Sequence, residues 1–177
     1  MSGHNKWSKI KHKKGAADAE KSRIFSKYSK LISMEAKLCD GDTSSPALRA
    51  VIEKAKKENM PNANIERAVK KASESAATIN EAVFEFYGPG GVGIIVVAMT
   101  DNNNRTSSEI RSIVSKSGYT LGTLGSVMWS FTRDPTSREF TPNTKLDISM
   151  SDRETLMRII ETLEEHDDVV NIFTNAE

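Results

Sequence analysis

Residues able to carry out acid–base, nucleophilic or metal chemistry are few in this sequence and lie far apart. The histidines are His4, His12 and His166, and the single cysteine is Cys39. A catalytic nucleophile needs a base within hydrogen-bond reach, and a zinc site needs clustered ligands. No pair of these residues has such a spacing, and the acidic run after His166 is typical of a solvated helix terminus. The sequence therefore predicts no enzyme activity, no bound metal and no cofactor.

The first 30 residues suggest a different chemistry, because they hold nine Lys and Arg against only Asp18 and Glu20. Lysines that neutralise phosphates release counterions, and a tryptophan offers a flat surface on which a nucleobase can stack. The predicted nucleic-acid-binding residues are Lys6, Trp7, Lys9, Lys11, His12, Lys13, Lys14, Lys21, Arg23 and Lys27. A merely solvated basic arm is the alternative, but such an arm would not need the tryptophan.

A second candidate anion contact lies in the segment TDNNNRT, from Thr100 to Thr106. The segment falls between a predicted strand and a predicted helix start, where free amides together with Asn104 and Arg105 could hold an anion. A turn stabilised by Asn and Asp side chains is the alternative, and the composition favours it.

Charge is divided unevenly along the chain, although the net charge of its 177 residues is only +1. Residues 1–74 hold seventeen Lys and Arg against nine Asp and Glu, whereas the remainder holds eight against fifteen. This division suggests a basic part that binds a polyanion and an acidic C-terminal half that contacts protein. The longest apolar run, Val92 to Met99, is too short to cross a membrane, and the lone cysteine fits a reducing cytosol. The expected location is the cytoplasm.

Three predicted helices position the basic residues. Apolar residues recur at three- and four-residue steps from Ile24 to Leu38, from Leu48 to Ala55 and from Ile65 to Ala72. Three short stripes bury little surface, so we expect marginal stability for this part alone. Residues 1–75 are thus predicted to be a basic arm plus a three-helix nucleic-acid-binding domain.

Beyond a small polar linker at residues 73–80, the pattern changes to that of strands. Strands are predicted at Val83–Tyr87, Val92–Met99 and Val127–Phe131, around Leu146 and Ile148, and at Val169–Phe173. Capping boxes at Thr106–Glu109 and Ser151–Glu154 predict two helix starts. From Val92 onward the order is strand, helix, strand, strand, helix, strand, the order of the ferredoxin-like split βαβ motif. The predicted fold class is α+β, with this second domain at residues 82–175.

Several long segments resemble one known family. They are GHNKWSKIKHKKGAADAEKSRIFSK, ENMPNANIERAVKKA, YGPGGVGIIVVAMTDNNNRTSSEIRSIVSKSGYTLGTLGSVMWSF and, at the end, TPNTKLDISMSDRETLMRIIETLEEHDDVVNIFTNAE. These segments are similar to the YebC/PmpR family, which includes the mitochondrial translational activator of cytochrome c oxidase. The resemblance implies a non-enzymatic cytoplasmic regulator of gene expression, whose bacterial members are described as probable DNA-binding transcriptional regulators. The family's arm motif corresponds to Gly3–Lys14.

One departure from the family concerns an inserted domain. Typical members carry a third domain between the second and third strands of the ferredoxin-like unit, whereas only a short linker at residues 133–142 stands there in this chain. Contacts made by that domain in relatives are therefore not implied here. Because the chain begins with the family's own Met-x-Gly-His, no presequence is expected.

Three functional hypotheses remain open on the sequence. The protein binds DNA as a transcriptional regulator, or it binds ribosomal RNA as a ribosome-associated translation factor that relieves stalled translation. A third hypothesis is a small-ligand-binding or enzymatic ferredoxin-like module, which would need a pocket with converging polar groups. Phosphate contacts are common to DNA and ribosomal RNA, so the sequence does not decide between the first two.

Overall fold

Three helices, followed by a sheet with two further helices, make up the computed structural model of the chain, which describes residues 17–74 and 79–177. These parts form a helical unit (17–74) and a sheet unit (81–134 and 138–177). The α+β class predicted from the sequence is confirmed.

The helical unit consists of α1 (Ala17–Leu38), α2 (Pro46–Lys57) and α3 (Asn62–Glu74). Its core is formed by Ile32, Ala36, Leu48, Ala55, Met60, Ile65 and Ala68. These residues belong to the periodic stripes and to the turn before α3, and the predicted set of three helices is confirmed. Helix α1 begins before its apolar stripe because its first turns are rich in Ala, Glu and Lys, which favour helix.

Both of the first two helices end in a left-handed turn. Asn59 follows α2 with φ +61°, and the amide of Met60 donates to the carbonyl of Ala55 at 3.0 Å. The amide of Gly41 donates in the same way to Ala36 at 2.7 Å after α1. Such turns satisfy the last carbonyls of a helix. The turn after α2 also buries the Met60 side chain in the core.

The sheet unit contains a three-stranded sheet, a separate hairpin and two helices. Strands β1 (Asn80–Tyr87), β2 (Gly93–Thr100) and β5 (Val169–Thr174) form the sheet in the order β1-β2-β5, and β3 (Phe131–Arg133) pairs with β4 (Phe140–Pro142) as the hairpin. The helices are α4 (Asn103–Lys116) and α5 (Met150–Glu164), and short 3-10 turns span Pro89–Gly91 and Met128–Ser130. Strands β2 and β5 are antiparallel, with a bulge between Val97 and Ala98.

The central strand β2 is buried along its whole length. Alternate residues of a strand point to opposite faces, so Ile94 and Val96 lie on the face whose core includes Ile110 and Leu156 of the two helices. On the other face, Ile95 lies opposite Phe173 of β5, whose ring packs edge-on against Phe140 of the hairpin at 5.4 Å. Burial on both faces explains why β2 is an uninterrupted apolar run.

The order strand, helix, strand, strand, helix, strand is present, but in the part of the chain that the structure describes its two inner strands form a separate two-stranded sheet. The predicted strand Val127–Phe131 is mostly a 3-10 turn, because the buried carboxylate of Glu85 accepts the amides of Val127 and Met128. The strand predicted around Leu146 is reduced to a single parallel bridge with Ala176. The linker predicted at residues 133–142 includes the turn of the hairpin and β4.

Both predicted capping boxes were wrong by a few residues. The N-cap of α4 is Asn102, whose side chain accepts the amide of Arg105 at 3.1 Å. The N-cap of α5 is Ser149, which accepts the amide of Asp152 at 3.1 Å. Thr106 lies inside α4 because Asn102 caps the helix four residues earlier, and the Thr106 hydroxyl donates to Asp168 at 2.7 Å.

Helix length and apolarity bear on membrane insertion. Within residues 17–74 and 79–177, no helix is long and apolar enough to cross a bilayer. The apolar run that ends at Met99 lies almost entirely within β2.

Candidate nucleic-acid interface

Basic side chains follow one face of α1. Arg23, Lys27, Lys30 and Lys37 succeed each other at steps of four, three and seven residues, which places them on one side of a helix. We call these four residues the basic stripe. The apolar residues of α1 that pack in the helical core, such as Ile32 and Ala36, lie on the opposite side by the same geometry. The stripe is therefore turned away from the core of the helical unit.

The basic stripe spans about 21 Å at 1.5 Å per residue. Arg23 and Lys37 are exposed, and Lys27 and Lys30 are half-buried. Duplex DNA advances about 3.4 Å per base pair, so the stripe matches the length of about six base pairs. Arg23 and Lys37, its exposed members, can therefore meet phosphates near the two ends of this length.

Only part of the predicted site falls within residues 17–74 and 79–177. Lys6, Trp7, Lys9, Lys11, His12, Lys13 and Lys14 lie outside the described residues, and their role stays a prediction. Arg23 and Lys27 belong to the basic stripe, whereas Lys21 lies on the core side of α1, with its ammonium 5.7 Å from the centre of the Phe25 ring. Lys30 and Lys37 are absent from the predicted site residues, although their helical spacing from Arg23 is visible in the sequence.

The other helices of this unit line a groove of mixed charge. It is formed by Thr43, Arg49, Ile52, Glu53, Lys56, Asn62, Ile65 and Glu66. Two cations and two carboxylates nearly cancel there, so the groove is a poorer match for a polyanion than the basic stripe. Neither Arg105 nor His166 lines it, so it gives no support to an active site built on those residues.

The predicted anion contact at Asn104 and Arg105 is surrounded by acidic groups. The Arg105 guanidinium lies 2.9 Å from Asp168 and 3.2 Å from Asp101, and its Nε lies 4.0 Å from Glu109. The hydrogen bond and the charge of Asp168 raise the pKa of Arg105 above its ordinary value. An incoming anion would have to displace these carboxylates. The anion contact stays a prediction, and the geometry favours a structural role for Arg105.

His166 and the acidic residues around Arg105 form one hydrogen-bonded cluster. The amide of Asp168 donates to Nδ1 of His166 at 3.1 Å, while Nε2 lies 2.9 Å from a carboxylate oxygen of Glu109. Since Nδ1 accepts, the ring proton of the neutral imidazole sits on Nε2 and is donated to Glu109.

Among the described residues, three side chains of this cluster could together hold a metal ion. Donor atoms of Glu109, His166 and Asp168 lie within 4.8 Å of one another. The guanidinium of Arg105 already contacts both carboxylates, so a cation would compete with it. The prediction that no metal binds stays untested.

Two protein-family models match this chain, one in each unit. A model described as the N-terminal domain of the TACO1/YebC protein matches residues 5–75, and one described as the TACO1/YebC second and third domain matches residues 79–138. The chain belongs to the TACO1/YebC family. The resemblance inferred from the sequence motifs is thereby confirmed.

Relatives in the TACO1/YebC family are longer than this chain. A probable transcriptional regulatory protein of Trichlorobacter lovleyi is 47% identical over 177 residues, covering 98% of this chain and 70% of that protein. A probable transcriptional regulatory protein of Geobacter sp. strain M21 is 53% identical over 134 residues, 74% of this chain and 54% of that protein. The chain thus matches about half the length of the Geobacter relative.

One solved structure has the same TACO1/YebC-like fold. The crystal structure of the conserved hypothetical protein Aq1575 from Aquifex aeolicus superposes with a TM-score of 0.81 at 30% sequence identity, covering 95% of both chains. The second family model ends at residue 138, in the turn of the β3–β4 hairpin.

Proposed function

We propose that this protein is a non-enzymatic regulator of gene expression that binds nucleic acid in the cytoplasm through its N-terminal arm and the basic stripe. The observation that carries the proposal is the alignment of four cations on one face of α1, directly after the lysine-rich arm. The names of the two bacterial relatives, probable transcriptional regulatory proteins, support a regulatory role.

Binding in this proposal rests on phosphate contacts. The lysines of the arm and stripe supply attraction that is independent of sequence, and Trp7 stacks on a base to set the local fit. Among the described residues, the cluster around His166 is tied up in internal hydrogen bonds, which supports a protein without chemistry of its own.

Ribosomal RNA is the second candidate target, and the composition of the basic stripe suits it as well as DNA. Three of the four cations are lysines, and only Arg23 has the bidentate fork that commonly recognises guanine in the major groove. Attraction without base readout suits a structured RNA recognised by its shape. In this form the protein is a ribosome-associated factor that relieves stalled translation.

Sedimentation of the tagged full chain from gently lysed cells tests the target. Co-migration with ribosomes at low salt, lost at high salt and after removal of residues 2–14, identifies a translation factor. A chain that stays at the top of the gradient at both salts argues for DNA, and binding to specific against non-specific duplexes is then measured. A protein that binds neither DNA nor ribosomes contradicts the proposal.

A charge-matched pair of variants tests the basic stripe directly. The triple substitution Arg23→Gln, Lys27→Gln and Lys30→Gln should weaken binding and lower the slope of log affinity against log salt by about 2–3, since each lost phosphate contact removes about 0.7–0.9. The control triple Arg111→Gln, Lys116→Gln and Arg158→Gln removes the same charge from exposed positions of the sheet unit. Equal losses in both triples would show that only net charge matters.

A further inference from the structure

The buried carboxylate of Glu85, 2% exposed, anchors the loop that follows α4. The amide of Gly125 donates to one carboxylate oxygen at 2.6 Å, and the amides of Val127 and Met128 donate to the other at 2.7 Å each. The carbonyl of Glu85 also accepts the amide of Gly122 at 2.7 Å. One residue therefore holds four backbone amides of the loop, and hydrogen bonds to a carboxylate are strong ones.

This anchored loop presents large apolar side chains to solvent. Trp129 is 73% exposed, Leu124 is 78% exposed, and Tyr87 at the end of β1 is 46% exposed. We call the rings of Tyr87 and Trp129, together with Leu124 of the same loop, the aromatic platform. The hydroxyl of Tyr87 and Nε1 of Trp129 both donate to the carbonyl of Ser126, at 2.7 and 2.9 Å. Their polar atoms are thus satisfied within the loop, which leaves ring surface for a partner.

The grouping of exposed rings in the aromatic platform indicates an interaction site. Single exposed apolar residues are common on protein surfaces, but apolar residues grouped on one surface mark interaction sites. The rings of Tyr87 and Trp129 adjoin, since the hydroxyl of Tyr87 lies 3.3 Å from Nε1 of Trp129. Because Glu85 fixes the loop, little conformational entropy is lost when a partner packs on the rings.

The charges around the platform favour protein over nucleic acid. No charged residue occurs between Lys116 and Arg133, and residues 79–177 hold fifteen acidic against eight basic residues. A site that stacks single-stranded nucleic acid pairs its aromatic residues with a positively charged groove. Arg133, which follows the loop, is bonded at 2.6 Å to Glu81. The centres of protein interfaces, by contrast, are poor in charge and rich in Trp and Tyr.

We propose that the aromatic platform binds a basic protein segment, with an apolar side chain of the partner packed on Tyr87 and Trp129. Lysines or arginines that flank this side chain meet the excess carboxylates of the sheet unit, such as Asp152, which lies beside Gly90 in the turn after Tyr87. The platform would give the sheet unit a protein partner of its own, and the proposal does not depend on nucleic-acid binding by the helical unit.

Site-specific photo-cross-linking in cells tests this surface on the full chain. A benzophenone side chain replaces Leu124 in one form and Met150 in the control, which is 72% exposed on α5 of the same unit. The Leu124 form should yield a protease-sensitive, nuclease-resistant adduct that the control lacks. Mass spectrometry of the adduct should find a partner peptide of net positive charge, attached at or beside an apolar residue.

Variants of the Leu124 form identify the contact. Trp129→Ser should lower the adduct yield about tenfold or more, as expected for an aromatic hot spot, and Trp129→Phe should keep most of it. Glu85→Gln, which keeps the side-chain shape, should give a folded protein with a lower yield. Removal of residues 2–14 should leave the yield unchanged, so that failure of the platform is distinguishable from failure of the arm.

Four outcomes would overturn the proposal. A nuclease-sensitive adduct would make the occupant a nucleic acid, and an adduct of two copies would make it this chain itself. A partner peptide of negative charge would contradict the complementarity. The same adducts from the Leu124 and Met150 forms, or no adduct from either, would leave the platform without a specific partner.

Discussion

The two units differ in the size of the side chains that hold them together. Three of the seven residues of the helical core are alanines, Ala36, Ala55 and Ala68, whereas the eleven core residues of the sheet unit are all Val, Ile, Leu or Phe. Buried apolar area sets the hydrophobic contribution to folding, at about 25 cal/mol per Å². The unit that carries the basic stripe is thus the one whose core contains the smaller apolar side chains.

This difference explains how the helical unit could respond to a ligand. A ligand that binds only the folded form adds to its stability, and the addition matters most where the intrinsic stability is small. We therefore expect nucleic acid to raise the melting temperature of the helical unit and to leave that of the sheet unit nearly unchanged. The predictions that follow test this contrast, from the largest expected effect to the smallest.

The largest effect is expected from a cavity in the core of the helical unit. Leu48→Ala should destabilise the helical unit by about 3–5 kcal/mol, enough to unfold it while the sheet unit stays folded. In a Trp7→Phe background, where Trp129 is the remaining tryptophan, urea unfolding followed by far-ultraviolet circular dichroism should then show a transition of the helical unit that the fluorescence of Trp129 does not follow. Leu156→Ala in the sheet unit is the matched control and should move the Trp129 transition. A single shared transition in both variants would refute the contrast.

Loss of the loop anchor should have the next largest effect, and only on the sheet unit. Glu85→Ala leaves the amides of Gly125, Val127 and Met128 without their acceptor and should cost about 2–4 kcal/mol. Urea unfolding monitored at Trp129 measures the loss. The exposed Glu154→Ala should change stability by less than about 0.5 kcal/mol. Equal effects of the two substitutions would mean that Glu85 is not an anchor.

A smaller effect is expected from Arg105, whose side chain is 45% exposed and therefore screened by water. Arg105→Gln should lower the melting temperature of the sheet unit at pH 7, since Asp168 loses its charged partner. Nucleic-acid binding should be unchanged, in contrast to the stripe triple. Weaker binding than that of the single variant Arg111→Gln, which removes the same charge, would restore Arg105 as an anion contact.

The smallest effect concerns the loop between α1 and α2. Hydrogen bonds from Ser44, first from its hydroxyl and then from its amide, lower the pKa of Asp42 below that of an ordinary aspartate. The lowered pKa means that Asp42 stabilises the fold above about pH 4 and loses this contribution as the pH falls through its folded pKa. Asp42→Asn should lower the melting temperature slightly at pH 7, and the difference should shrink towards pH 2.5. A difference independent of pH would exclude this titration.

The sequence predicted the helices well because their signal is local. The stripes around Ile32, Leu48 and Ile65 repeat with the helical period, and each falls in the helix expected from it. The basic stripe could also be predicted, since a helix and the spacing of its lysines suffice to place it. Lys30 and Lys37 were missed only because charge was counted along the chain and not around the helix.

Features set by distant partners could not be predicted in this way. Thr106 has the spacing of an N-cap, yet its hydroxyl bonds to Asp168, 62 residues further along the chain. The loop around Val127 has the composition of a strand, yet its amides bond to Glu85, 42 residues earlier. The same long-range bonds create the aromatic platform, so nothing near Trp129 in the sequence indicates it.

The hydrogen bonds on both ring nitrogens make His166 a spectroscopic landmark. Long-range nitrogen–proton NMR spectra distinguish the two ring nitrogens of an imidazole, and for the neutral ring of His166 they should find the proton on Nε2, beside Glu109. The other two histidines, His4 and His12, both lie in the basic arm. Without any added label, one spectrum therefore reports on the arm and on the sheet unit at once, and it can show which of them a given partner touches.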